Sequence, residues 1–125
     1  MKRKLKIGDS QIITITDNGT VIVPGETKMS ISEIADLFGI YYLTAKRHIR
    51  AIEKAGIARG DDSKGGSVEG LNVYPDYYGL EMVIAIAFRV RSANADIFRK
   101  WLVHRITRHG LSQTIFLSLQ NLMLN

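Results

Sequence analysis

β-Branched residues crowd the first part of the chain, and helical spacing takes over after the first proline. The runs QIITIT at 11–16 and TVIV at 20–23 flank Asp17-Asn18-Gly19. This pattern predicts a β-hairpin, because Asn-Gly supplies the positive φ angles of a tight turn. After Pro24-Gly25, the segment MSISEIADLFG at 29–39 carries a full set of helix signals. Ser30 caps, Glu33 closes a capping box, and Met29 staples onto Ile34 across the first turn. Ile31, Ile34, Ala35 and Phe38 share one apolar face, and Gly39 ends the helix.

A second helix is predicted over 43–55 (LTAKRHIRAIEKA). At ~100° per residue its faces separate: Ala45, Ile49 and Ile52 point inward, and Lys46, Arg47, Arg50 and Lys54 form the opposite stripe. Leu43 leads that stripe and Glu53 lies near its flank. From Ile57 the pattern changes. Ile57-Ala58-Arg59, then GDDSKGG at 60–66, then LNVY at 71–74 predict a strand, a flexible loop turning at Gly65-Gly66, and a second strand. An almost wholly apolar helix follows over 80–90 (LEMVIAIAFRV). Ser92 caps another over 93–108, in which Ile97, Phe98, Trp101, Leu102 and Ile106 alternate with Arg99, Lys100, Arg105 and Arg108, and Gly110 closes it. The tail 111–125 places Leu111, Ile115, Phe116, Leu119, Leu122 and Met123 at helical spacing with no charge opposite, a face that needs a cover.

These elements fit a single α+β domain: 125 residues with 46% hydrophobic and 23% charged content exclude a disordered or fibrous chain. There is no cysteine, which removes disulfides, thiolate nucleophiles and sulfur-ligated zinc. The basic start Met1–Lys6 runs into Gly8, Asp9, Ser10 and Gln11 where a signal peptide needs an apolar stretch, so a cytoplasmic protein is expected. The longest apolar run, 82–88, falls far short of the about 18 residues a spanning helix needs, so no membrane partner is expected. Net charge is +5, and the cations cluster at the amino terminus, over 42–60 and over 89–109, a distribution that favours a polyanionic partner.

Two helices joined by a short turn at Gly39, the second with a basic outer face, then strand, loop and strand, predict a winged helix-turn-helix. Its amino-terminal β-hairpin arm spans 1–24, the helix-turn-helix 29–55, the wing 57–78 and a helical pair 79–110. The apolar carboxy-terminal helix follows over 111–125. In this arrangement the second helix enters the major groove of double-stranded DNA. Tyr42, Leu43, Thr44 and Arg47 lie near base edges and Lys46, Arg50 and Lys54 near phosphates. Lys64 in the wing is a further phosphate or minor-groove candidate, opposed by Asp61 and Asp62 beside it. Arg99 and Lys100, with Arg89, Arg91, Arg105 and Arg108, either flank the duplex or form the solvated face of an amphipathic helix.

The stretch SISEIADLFGI with TAKRHIRAI, followed by YYGLEMVIAIAFRVRS and FRKWLVHRI, resembles the amino-terminal domain of the RhuM-type (virulence-associated RhuM) family of bacterial proteins. The resemblance spans most of 29–108, and the amino-terminal hairpin lies outside it. FRKWLVHRI also resembles the end of BRO-N-type and phage antirepressor domains. The resemblance implies a prokaryotic DNA-binding or regulatory role on a mobile or horizontally acquired element, and supplies no operator or catalytic residue.

No phosphate-cradling loop, nucleophile elbow or magnesium-holding acidic cluster is present, so neither an enzyme nor a small-molecule cofactor is expected. His48, His104 and His109 lack metal-ligand spacing, and Tyr74, Tyr77, Tyr78 and Trp101 fit core or turn packing better than base stacking. Because one recognition helix reads only a few base pairs, and because 111–125 needs a cover, a homodimer through that segment is expected; the alternative is that it folds back. The competing functional class is a protein-interaction module of antirepressor or assembly-factor type on the same fold.

Overall fold

The computed structural model describes residues 11–109, with side chains for all of these except 61–65, 67 and 109. The chain runs β1 (Thr14–Ile15), β2 (Val21–Ile22), α1 (Ile31–Phe38), α2 (Tyr42–Lys54), β3 (Asp61–Glu69), β4 (Asn72–Tyr77), α3 (Leu80–Ala87) and α4 (Ala93–His109). It is a mixed α+β arrangement: β1–β2 and β3–β4 form two separate antiparallel hairpins. The amino-terminal cation cluster, Gly110 and the apolar segment 111–125, with the dimer contact expected of it, lie outside the described residues.

β1 and β2 are shorter than the β-branched runs that contain them, pairing only Thr14 with Ile22 and Ile15 with Val21. The turn is also wider than Asn-Gly alone predicts. Thr16 and Thr20 close a three-residue loop by a 2.9 Å backbone bond, and only Gly19 in it has a positive φ. Asn18 acts through its side chain instead, its Oδ1 accepting from the Thr20 hydroxyl at 2.9 Å and from the Thr16 hydroxyl.

α1 begins as its sequence predicts. The Ser30 Oγ accepts from the Glu33 N–H at 3.2 Å, and the Ser30 N–H donates to the Glu33 carboxylate at 2.9 Å. Met29 and Ile34, the stapling pair, are both fully buried. At the other end Gly39 is left-handed, its N–H bonds to Asp36 and the Ile40 N–H reaches back to Ala35 at 3.0 Å; this double closure stops α1, and α2 starts at Tyr42. Ala45, Ile49 and Ile52 of α2 are buried, as their spacing predicts.

The second hairpin corrects the sequence reading. Residues 61–66, expected as a flexible loop, belong to β3, and the chain reverses at Gly70-Leu71. Gly70 has φ +62°, Leu71 does not, and Glu69 pairs with Asn72 across the turn, the two-residue geometry that demands glycine first. Gly66 serves a different purpose: a Cβ there would collide with the Tyr74 carbonyl, so glycine permits the close strand approach beside the register shift between Asp61 and Gly66. A single antiparallel bridge, Met29 to Tyr78, ties the entry of α1 to the exit of β4.

α3 contributes Met82, Val83, Ala85, Ile86 and Ala87 to the core and ends at Ala87, three residues sooner than expected. α4 crosses behind, its start capped by Ser92 Oγ on the Ala95 N–H at 3.1 Å. Phe98 meets Phe38 edge to face at 5.9 Å between ring centroids and packs on Trp101 at 5.5 Å. Asn94 donates its amide to the Leu37 carbonyl at 2.8 Å, satisfying a carbonyl in the last turn of α1. The two-helix unit therefore stands on a platform of α3 and α4.

Candidate nucleic-acid interface

α2 has three sides, and only one is open. Its inner side is core, and a second side is met by the β3–β4 hairpin, which takes Lys46 and Arg50. On the open side Leu43, Arg47, Ala51 and Lys54, spaced i, i+4, i+8 and i+11, are all exposed. Leu43 is 73% exposed. Tyr41 and Tyr42 at the helix start are exposed as well, and Thr44 is half-buried.

Arg50 departs from the predicted stripe. Its guanidinium donates to the Glu53 carboxylate at 2.9 Å and to the Tyr78 hydroxyl at 2.9 Å, reaches Glu69 Oε2 at 3.4 Å, and lies 3.7 Å above the centre of the Tyr74 ring. Its side chain is only 20% exposed. Burial works against its charge, yet Tyr78 and Glu53 outweigh burial and hold the guanidinium above its ordinary pKa. Tyr78 is in turn pushed up, chiefly by burial. Arg50 thus pins α2 to β4 rather than standing free on the outer face.

Lys46 is engaged too, its Nζ 2.8 Å from the same Glu69 Oε2 that faces Arg50. Hydrogen bonding from Lys46 leads in holding the Glu69 carboxyl below the usual carboxylate range; desolvation opposes it and Arg50 adds to it. A cleft of about 340 Å³ opens between the start of α1, Tyr42 and β4, with Arg50 and Glu69 on its wall.

No family model, curated protein or solved structure matches this chain.

Arg99 and Lys100 are engaged within the α3–α4 pair. Arg99 donates to the carbonyls of Ala87 and Val90 at 2.5 and 2.9 Å, closing the end of α3, and Lys100 pairs with Asp96 at 3.0 Å. The Asp96 carboxyl is lowered, first by Lys100. The Lys64 side chain lies outside those described; its backbone sits within β3. Sequence reasoning missed Glu69, Tyr74 as the Arg50 platform, and Asn94. Glu69 carried a readable signal only to someone who had placed the turn at Gly70, because that turn brings its side chain beside α2. Among the described residues no group of three His, Asp or Glu is placed to hold a metal ion, and no helix is long and apolar enough to cross a membrane.

Proposed function

We propose that the protein is a non-enzymatic, sequence-specific binder of double-stranded DNA, a transcriptional regulator with the winged helix-turn-helix arrangement. The observation that carries the proposal is the open side of α2, where Leu43, Arg47 and Lys54 stand exposed in one row on the second helix of a tightly punctuated pair. In this reading α2 lies in the major groove. Leu43 offers an apolar contact for thymine methyl groups, Arg47 a fork for base edges or phosphate, and Lys54 a phosphate contact. Tyr42 and Thr44 border the base-reading end. The β3–β4 hairpin is the wing, and the Met29–Tyr78 bridge stands where a third strand would close its base. The resemblance of 29–108 to the RhuM-type family points the same way.

The test is fluorescence anisotropy with random duplex DNA at several salt concentrations. Binding is expected to weaken with a log–log slope of about 0.9 per phosphate contact. The double variant Arg47→Glu with Lys54→Glu is expected to bind at least about tenfold more weakly and to lose about two contacts' worth of slope. Arg50 is left out of this test because its loss would disturb the fold. Absence of salt-dependent binding at low ionic strength overturns the proposal. It would favour the second reading, a protein-interaction module, which is supported by the exposed Tyr41, Tyr42 and Leu43 and by Val68, Leu71 and Val73 around the hairpin tip.

A further inference from the structure

We infer that Glu69 is an internal rival of DNA phosphate for Lys46: on random duplex Lys46 stays with the carboxylate, at a specific site the carboxylate is exchanged for a phosphate, and non-specific affinity is held down by the wing itself. The inference rests on the DNA-binding reading above and names a selectivity-determining residue within it.

One carboxylate oxygen of Glu69 faces two cations of α2, Lys46 at 2.8 Å and Arg50 at 3.4 Å, the way a phosphate oxygen would be held. The two cations depend on it unequally. Arg50 keeps Glu53, the Tyr78 hydroxyl and the Tyr74 ring without it. For Lys46, Glu69 supplies the ion pair. The Lys46 and Glu69 side chains are 30% and 37% exposed, so water and ions reach the pair and it exchanges readily. Glu69 also adjoins the Gly70-Leu71 turn, where Val68, Leu71 and Val73 are exposed, so moving its carboxylate disturbs little packing. Lys46 lies on α2 one residue before Arg47 and three after Leu43; once released it extends the open cationic row.

Such an arrangement separates weak from strong encounters. A loosely seated duplex brings phosphates only transiently past the Lys46–Glu69 pair, whereas a site that also satisfies Leu43 and Arg47 fixes the backbone in register and holds a phosphate beside Lys46 at high effective concentration, so the exchange takes place there. Neutralising Glu69 should therefore strengthen binding to random DNA, an effect opposite in sign to the loss expected from damaging the wing.

The experiment compares the full chain with its Glu69→Gln, Lys46→Gln and double variants on random duplex DNA across a salt series. Glu69→Gln is expected to bind about two- to fivefold more tightly, with a log–log slope steeper by about 0.9. Lys46→Gln alone should change affinity little, and should cancel the gain when combined with Glu69→Gln. A gain without a change in slope, a gain that survives Lys46→Gln, or no gain at all overturns the inference. If Glu69→Gln unfolds, a marked loss of affinity in Lys46→Gln alone overturns it, and an unchanged affinity and slope there supports it. The Arg47→Glu, Lys54→Glu variant keeps the two questions apart. If it weakens binding while Glu69→Gln does nothing, only the role of Glu69 fails; if neither the wild type nor any variant binds, the DNA reading fails with it.

Discussion

The cations of α2 look alike in the sequence and do different things in the fold. Arg47 and Lys54 are exposed, Lys46 is paired at the surface, and Arg50 is enclosed by a carboxylate, a phenol and an aromatic face. Arg50→Ala should lower unfolding free energy by about 1–3 kcal/mol, because it strips a charged hydrogen-bond donor from Glu53 and Tyr78 together. Urea denaturation measures this directly. Arg50→Lys should restore less than half of the loss, since an ammonium lacks the planar fork that bonds two partners while stacking on Tyr74. Equal stability of Arg50→Ala and wild type would mean that the contacts around Tyr78 form without it. Helical periodicity gave Arg50 its angular position correctly. What faces that angle depends on β4, which periodicity within α2 does not contain.

Among the elements, α1 was legible almost to the residue. Its capping box, staple and glycine closure are all made within a few positions of one another, so the local sequence specifies them. Ser30→Ala should cost about 1 kcal/mol in the same urea experiment, and Ser30→Asp should recover most of it by offering the Glu33 N–H another acceptor. The β3–β4 hairpin was the least legible element. Glycines at 60, 65, 66 and 70 compete as turn sites by type alone. Only the strand register decides among them: Gly66 is spent on close approach to Tyr74, and Gly70 adopts the positive φ of the turn. Placing the turn at 65–66 put Glu69 in a connection, and so hid its contact with α2.

At the scale of the whole molecule, the core joins α1, α2, α3 and α4 through Phe38, Ile49, Met82, Ile86 and Phe98, so a charge change at one surface is read out as global stability. His48 supplies such a change. Burial first, then Arg47 on its own helix and Arg89 beyond α3, lower its pKa below 6.5. A histidine whose pKa is lowered by folding takes up its proton less readily in the fold than in the unfolded chain, so its contribution is fully present above pH 6.5 and is lost as pH falls through the folded value. The urea midpoint should therefore fall between pH 7.5 and 5.5, and fall less in His48→Gln. Glu69 and Asp96, whose pKa values are also lowered, titrate below ordinary carboxylate values and so leave that window clear. Identical pH profiles for the two proteins would show that His48 is not the titrating group.

The sequence by itself determined the four described helices to within a few residues, the caps at Ser30, Gly39 and Ser92, and the basic character of α2, because helix spacing and end closure are interactions of near neighbours. Tertiary structure alone decided which cations remain free. The bond that commits Arg50 to Glu69 spans 19 residues, and the one to Tyr78 spans 28. Both exist only once the Gly70 turn has set the strand register and Tyr78 has bridged to Met29. A charge stripe on a helix is a local fact; its availability to a partner is a property of whatever else the chain folds against it.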